Sequence, residues 1–117
     1  MREIKFRGID TCFGNWVYGS LQVCKNGKYI IHFLDGGNTE IRPETAGQFT
    51  GLYDKNGTPV YEGDFIKDEF FGNGEIVFFW EEWRVNYGDA DIVSLHNELD
   101  DHLVIGNIHD NPELLNK

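Results

Sequence analysis

A chain of 117 residues that is 40% hydrophobic and 15% aromatic is long enough to bury one core and too apolar for a disordered segment. Its net charge of −10 argues against a general binder of nucleic-acid backbone and against an anionic membrane surface, since both draw on Lys and Arg. Cys12 and Cys24, the two cysteines, have no C-x-x-C spacing and make neither a disulfide framework nor a zinc site, which leaves two small thiols near strands.

The elements read as follows, in chain order. Residues 4–7 alternate and form a first strand. No apolar signal core and no uncharged run of about 20 residues is found, so the chain is expected to be cytoplasmic, with no membrane association. Residues 16–23 are rich in aromatic and β-branched types and read as a second strand, with Gly19 a candidate bulge. Asn26-Gly27 signals a two-residue hairpin, with residues 29–33 returning. Asp35-Gly36-Gly37-Asn38 turns the chain into a short strand at 39–41. Pro43-Glu44-Thr45 suits one helical turn, with Pro at a first-turn position.

Strands at 48–52 and 59–61 flank the turn Asp54-Lys55-Asn56-Gly57. Glu62-Gly63-Asp64 is a second tight turn, launching a strand at 65–67. The carboxylates of Asp54 and Asp64 are expected to accept nearby backbone N–H groups and close these turns. Gly72-Asn73-Gly74 reads as a turn, and the apolar run at 75–80 suits a strand buried on both faces. Residues 84–87 pair back on it. Residues 93–96 and 104–108 are further strands, and Gly106 marks a bulge or a close backbone approach. Residues 89–102 fit a short helix or a polar loop equally well. Asn111-Pro112 starts a final helical turn. Short strands with Gly and Asn turns every 8–12 residues predict a mainly β fold: one small barrel- or sandwich-like domain over residues 1–117, with at most one or two short helical turns.

Four blocks carry a family resemblance. They are Arg2-Glu3-Ile4-Lys5-Phe6-Arg7; residues 43–57, Pro-Glu-Thr-Ala-Gly-Gln-Phe-Thr-Gly-Leu-Tyr-Asp-Lys-Asn-Gly; Tyr61-Glu62-Gly63-Asp64-Phe65-Ile66; and residues 104–115, Val-Ile-Gly-Asn-Ile-His-Asp-Asn-Pro-Glu-Leu-Leu. In order and spacing the chain resembles the YopX family of phage and prophage proteins from end to end. It departs from the family pattern at Gly8-Ile9-Asp10, where an aromatic residue is usual, and at His109-Asp110, where Tyr-Glu is usual. The resemblance implies a mainly β domain of phage type and supplies no catalytic residues to transfer.

Charge is unevenly divided. Residues 1–50 carry +1 and residues 51–117 carry −11. The acidic half also holds Phe70, Phe71, Phe78, Phe79, Trp80 and Trp83 within fourteen residues, interleaved with Asp68, Glu69, Glu75, Glu81 and Glu82. Such aromatics fill a core more often than an interface. Those left exposed with an acidic rim would make a protein-interaction patch, with Phe70, Phe71, Trp80, Glu81, Glu82 and Trp83 the candidate surface.

Catalytic motifs are missing. Ser20 and Ser94 lie in no nucleophile elbow, no phosphate-binding loop is found, and no cofactor is implied. The leading expectation is therefore a non-enzymatic, phage-type accessory module that binds a protein partner or a second copy of itself. A first alternative is nucleic-acid association through Arg2, Lys5, Arg7, Lys25, Lys28 and Arg42 with Trp16 and Tyr29, or DNA mimicry by the carboxylates. A second is a metal-dependent enzyme using His96, Asp100 and His102, drawn from a cluster that also includes Glu98, Asp101 and His109.

Overall fold

The computed structural model describes residues 4–88 and 91–116. The chain divides into two compact units, Met1–Phe49 and Thr50–Lys117, at nearly the position where its charge divides.

The first unit is an antiparallel sheet. Its strands are β1 (Phe6–Ile9), β2 (Trp16–Val23), β3 (Tyr29–His32), β4 (Asn38–Ile41) and the start of β5 (Gly47–Tyr53), in the order β4-β3-β2-β1-β5. Ile9, Ile31, Ile41 and Phe49 are buried. A 3-10 turn at Pro43–Thr45 is fastened to β1 by Thr45, whose Oγ1 accepts the Ile9 N–H at 2.9 Å. Two local expectations are corrected. Gly19 forms no bulge, since its pairing with β1 is regular; a Cβ there would lie 2.2 Å from the His32 carbonyl oxygen, so close strand packing excludes a side chain. The Asn26-Gly27 hairpin has a three-residue loop. Gly27 N–H returns to the Cys24 carbonyl and Cys24 N–H bonds the Lys28 carbonyl, with only Gly27 at positive φ.

In the second unit the remainder of β5 pairs with β6 (Pro59–Tyr61). A five-stranded antiparallel sheet follows, from β7 (Asp64–Asp68), β8 (Gly72–Phe79), β9 (Glu82–Asn86), β10 (Ile92–Ser94) and β11 (Val104–Asn107), in the order β10-β9-β8-β7-β11. Val60, Ile66, Ile76, Val85, Tyr87, Leu95 and Leu99 form its buried core. The protein is thus mainly β as expected, with open sheets among the described residues and no closed barrel. Gly106 sits at a register shift between β11 and β7, so the bulge reading holds; the group that crowds it is the Asn111 side chain, whose Oδ1 a Cβ would meet at 2.5 Å, rather than backbone. Asp54 and Asp64 close their turns as expected: Asp54 Oδ1 accepts the N–H groups of Asn56 and Thr58, both at 2.9 Å, and Asp64 Oδ2 that of Tyr61 at 2.8 Å.

Two readings of this half are overturned. Gly72-Asn73-Gly74 is the start of β8 rather than a turn, and the chain reverses one step earlier, through Glu69-Phe70-Phe71. Gly74 is glycine because a Cβ would lie 2.4 Å from Val85 Cγ1 and 2.6 Å from Tyr87 Cε1. Nor is β8 buried on both faces: Ile76 is fully buried, while Phe78, two residues on and on the same face, is 55% exposed. The β8–β9 hairpin runs past the end of the core. Of residues 89–102, 89 and 90 lie outside the described residues; the rest holds β10, a 3-10 turn at Leu95–Asn97 and an irregular return to β11.

Candidate functional site

The six candidate surface residues do not form one patch. Phe70 and Phe71 lie on the β7–β8 turn, and Trp80 and Glu81 on the β8–β9 turn, at opposite ends of an eight-residue strand. At the strand rise per residue these ends are about 25 Å apart. Proximity in sequence misleads here because an antiparallel meander places alternate turns at alternate ends.

The β8–β9 end is an aromatic tip. Phe79 pairs with Glu82 across a two-residue turn formed by Trp80 (φ 52°) and Glu81 (φ 61°). This mirror-image turn follows the twist of a hairpin, but it needs positive φ at both positions and is normally built from Asn-Gly. Among the described residues, Trp80 and Glu81 are the only non-glycine residues with positive φ. Each costs about 1 kcal/mol relative to an ordinary conformation. Trp80 is 78% exposed and stacks on Phe79, with ring centroids 5.1 Å apart. Beneath it, Phe79, Trp80, Arg84 and Ile92 line a cleft of about 320 Å³. Arg84 braces the hairpin by donating from Nε to the Phe79 carbonyl at 2.8 Å and reaching Glu82 at 3.0 Å. Glu82 also accepts the Ser94 hydroxyl, so its role is partly structural. Trp83 is half-buried, lies edge-on to Phe78 and packs against the core, which removes it from the exposed set.

At the β7–β8 end, Phe70 is 94% exposed and Phe71 stacks on Tyr87 at 5.2 Å. Behind this turn is a polar cluster from three segments. Asp68 ends β7, and its Oδ1 accepts the N–H groups of Phe70 at 2.7 Å and Phe71 at 3.0 Å. Its Oδ2 meets His102 Nε2 at 3.1 Å. His102 Nδ1 bonds the Glu98 carbonyl, and the Glu98 carboxylate accepts the Tyr87 hydroxyl at 2.8 Å. One oxygen of Asp68, one of Glu98 and a ring nitrogen of His102 lie within 4.8 Å of one another.

The electrostatics follow from these partners. The N–H groups of Phe71 and Phe70 hold the Asp68 carboxyl below the usual aspartate range, against the opposing effect of burial, and His102 adds to this. Burial alone would push His102 down, but the Glu98 carbonyl, the bond to Asp68 and the charges of both carboxylates outweigh it and raise the imidazole. Burial and the bond to Glu98 push the Tyr87 phenol far up, so it stays protonated and donating.

A family model described as YopX protein matches residues 5–116. The chain belongs to the YopX family. The resemblance carried by the four sequence blocks is thereby borne out. A crystal structure of protein EF1440 from Enterococcus faecalis is 26% identical to this YopX family member, with a TM-score of 0.64, over 98% of this chain and 99% of that one. Protein yopX from Bacillus subtilis is 17% identical, with a TM-score of 0.58 over 98% of this chain and 97% of that one, and likeness at that identity speaks for the fold alone. No curated protein matches the chain. None of these relatives brings a catalytic assignment to the YopX fold.

Other sequence candidates are dispersed in this YopX domain. Of His96, Asp100 and His102, the first two are exposed and only His102 joins the polar cluster. The missed partner is Asp68, thirty-four residues earlier; its one local sign was its place at a turn. Part of the basic strip of the first half is taken up locally, while Lys25 and Arg42 are exposed. Arg7 is buried with its guanidinium 4.5 Å over the Trp16 ring, Lys5 lies 5.5 Å over the Phe49 ring, and Lys28 is 4.0 Å from Glu40. Arg2 lies outside the described residues. Among the described residues, no helix is long and apolar enough to cross a membrane.

Proposed function

We propose that this YopX family member is a non-enzymatic protein-interaction module that docks through the β8–β9 hairpin tip. One observation carries the reading: an exposed tryptophan occupies a turn whose backbone costs free energy to hold. Strained backbone and exposed aromatic surface both run against stability, and such departures concentrate where a surface is used. The partner is a protein other than a second copy of this chain. Glu81 at the tip and the acidity of the whole second half would bring like charges together in a self-contact. An apolar socket with a basic rim on the partner matches the tip, with Trp80 as the central anchor. The phage-type setting implied by the family resemblance suits an accessory protein of this kind.

The reading is tested with the full chain, by affinity capture from a bacterial lysate alongside a Trp80→Ala variant, and by light scattering after size exclusion. The expected result is a monomer that retains a discrete protein, lost in Trp80→Ala. Retention of the same proteins by both forms, or of none, would overturn it.

A further inference from the structure

We propose that Asp68, Glu98 and His102 form a binding site for a single divalent transition-metal ion of the zinc class. The site is separate from the hairpin tip and does not rest on it. Three observations converge. First, imidazole nitrogen and carboxylate oxygen are both zinc donors, and three such protein donors leave a further position for water. Second, each donor is oriented by a partner from outside the donor set or from the backbone. Asp68 Oδ1 is held by the N–H groups of Phe70 and Phe71, which leaves Oδ2 directed at His102. Glu98 is held by the Tyr87 hydroxyl. The contact of His102 Nδ1 with the Glu98 carbonyl requires the proton on Nδ1, because a carbonyl only accepts. Nε2 is therefore the nitrogen offered to a ligand. An imidazole fixed by a carbonyl and a carboxylate fixed by a hydroxyl are the outer-shell arrangement of metal sites.

Third, charge favours a cation: the carboxylates of Asp68 and Glu98 together carry the charge that one divalent ion balances. The acidic second unit draws cations to the site. The geometry needs little adjustment. Bonds of about 2.1 Å in a tetrahedral centre place donors about 3.4 Å apart. Asp68 and His102 are already at 3.1 Å, and the widest donor separation of up to 4.8 Å must close by at most about 1.4 Å.

The test uses the full chain with Cys12→Ser and Cys24→Ser, so that thiols take no zinc, after chelator treatment and desalting. Calorimetric titration with zinc chloride is expected to give one site per chain. His102→Gln and Glu98→Gln, each checked by circular dichroism, are expected to abolish it, and Tyr87→Phe to weaken it about tenfold. His96→Ala removes an exposed histidine outside the cluster and is expected to leave binding unchanged. No binding by the parent, or equal binding by His102→Gln, would overturn the site. X-ray absorption of the zinc-loaded parent checks the donors independently of any variant. One imidazole with oxygen ligands supports the assignment, and two or more imidazoles would overturn it.

Discussion

Asp54 joins three pieces of backbone with one carboxylate. Oδ1 closes its own turn on Asn56 and Thr58, and Oδ2 accepts the Val104 N–H at 3.0 Å at the start of β11. The neighbouring Lys55 N–H bonds the His102 carbonyl at 3.1 Å, so the same turn also sets the segment that carries His102. Burial would raise the Asp54 carboxyl, but the N–H groups of Val104, Thr58, Asn56 and Gly57 outweigh it and hold the group below the ordinary value of 3.8. A folded-state value below the unfolded one contributes stability above the unfolded pKa, and the contribution is lost as pH falls through the folded one. Asp54→Ala is therefore expected to cost about 2 kcal/mol at neutral pH, by removing the charged acceptor shared by three part-buried backbone hydrogen bonds. The gap between variant and parent is expected to narrow as pH drops below about 4. Urea denaturation at several pH values measures both, and a gap independent of pH would contradict the account.

At the scale of the element, the β8–β9 hairpin sets local stability against exposure. Replacing Trp80-Glu81 by Asn-Gly removes about 2 kcal/mol of unfavourable backbone conformation and loses about 1 kcal/mol of Phe79–Trp80 stacking. The double variant Trp80→Asn, Glu81→Gly is thus expected to be more stable by about 1 kcal/mol in chemical denaturation, while losing any protein captured by the parent. The same element shows where the sequence is legible. Strands such as Trp16–Val23 and Pro59–Tyr61 are readable to the residue, because β-branched and aromatic runs are bounded by turn residues. Trp80-Glu81 carries no turn signature, so the turn is visible only through the pairing of Phe79 with Glu82. Gly72-Asn73-Gly74 fails in the opposite direction: its glycines read as punctuation, whereas Gly74 serves close packing within a strand. The polar cluster was half legible. Glu98 and His102 stand out as neighbours in sequence, but Asp68 reaches them only through the meander.

Across the whole molecule, the division of charge coincides with the division into two compact units: the first carries a net +1 and the second −11. Self-repulsion among the carboxylates of the second unit opposes its compact state and is screened within a Debye length of about 10 Å at 0.1 M salt. Raising sodium chloride from about 0.05 to 0.5 M is expected to raise the melting temperature by a few degrees. A fall in melting temperature over that range would show that local ion pairs outweigh the repulsion. One hydrogen atom has a reach of similar breadth. The missing side chain of Gly74 leaves the space that the Tyr87 ring fills, and that ring both supports Phe71 and grips Glu98. Position 74 is therefore a lever: any bulk added near the start of β8 shifts Tyr87, and with it the turn on one side and the loop on the other. Repair of such a lesion belongs not at position 74 but at positions 85 and 87, where smaller side chains together relieve the contacts; the change at 87 also gives up the grip on Glu98, so that folding and the polar cluster are separable by genetics.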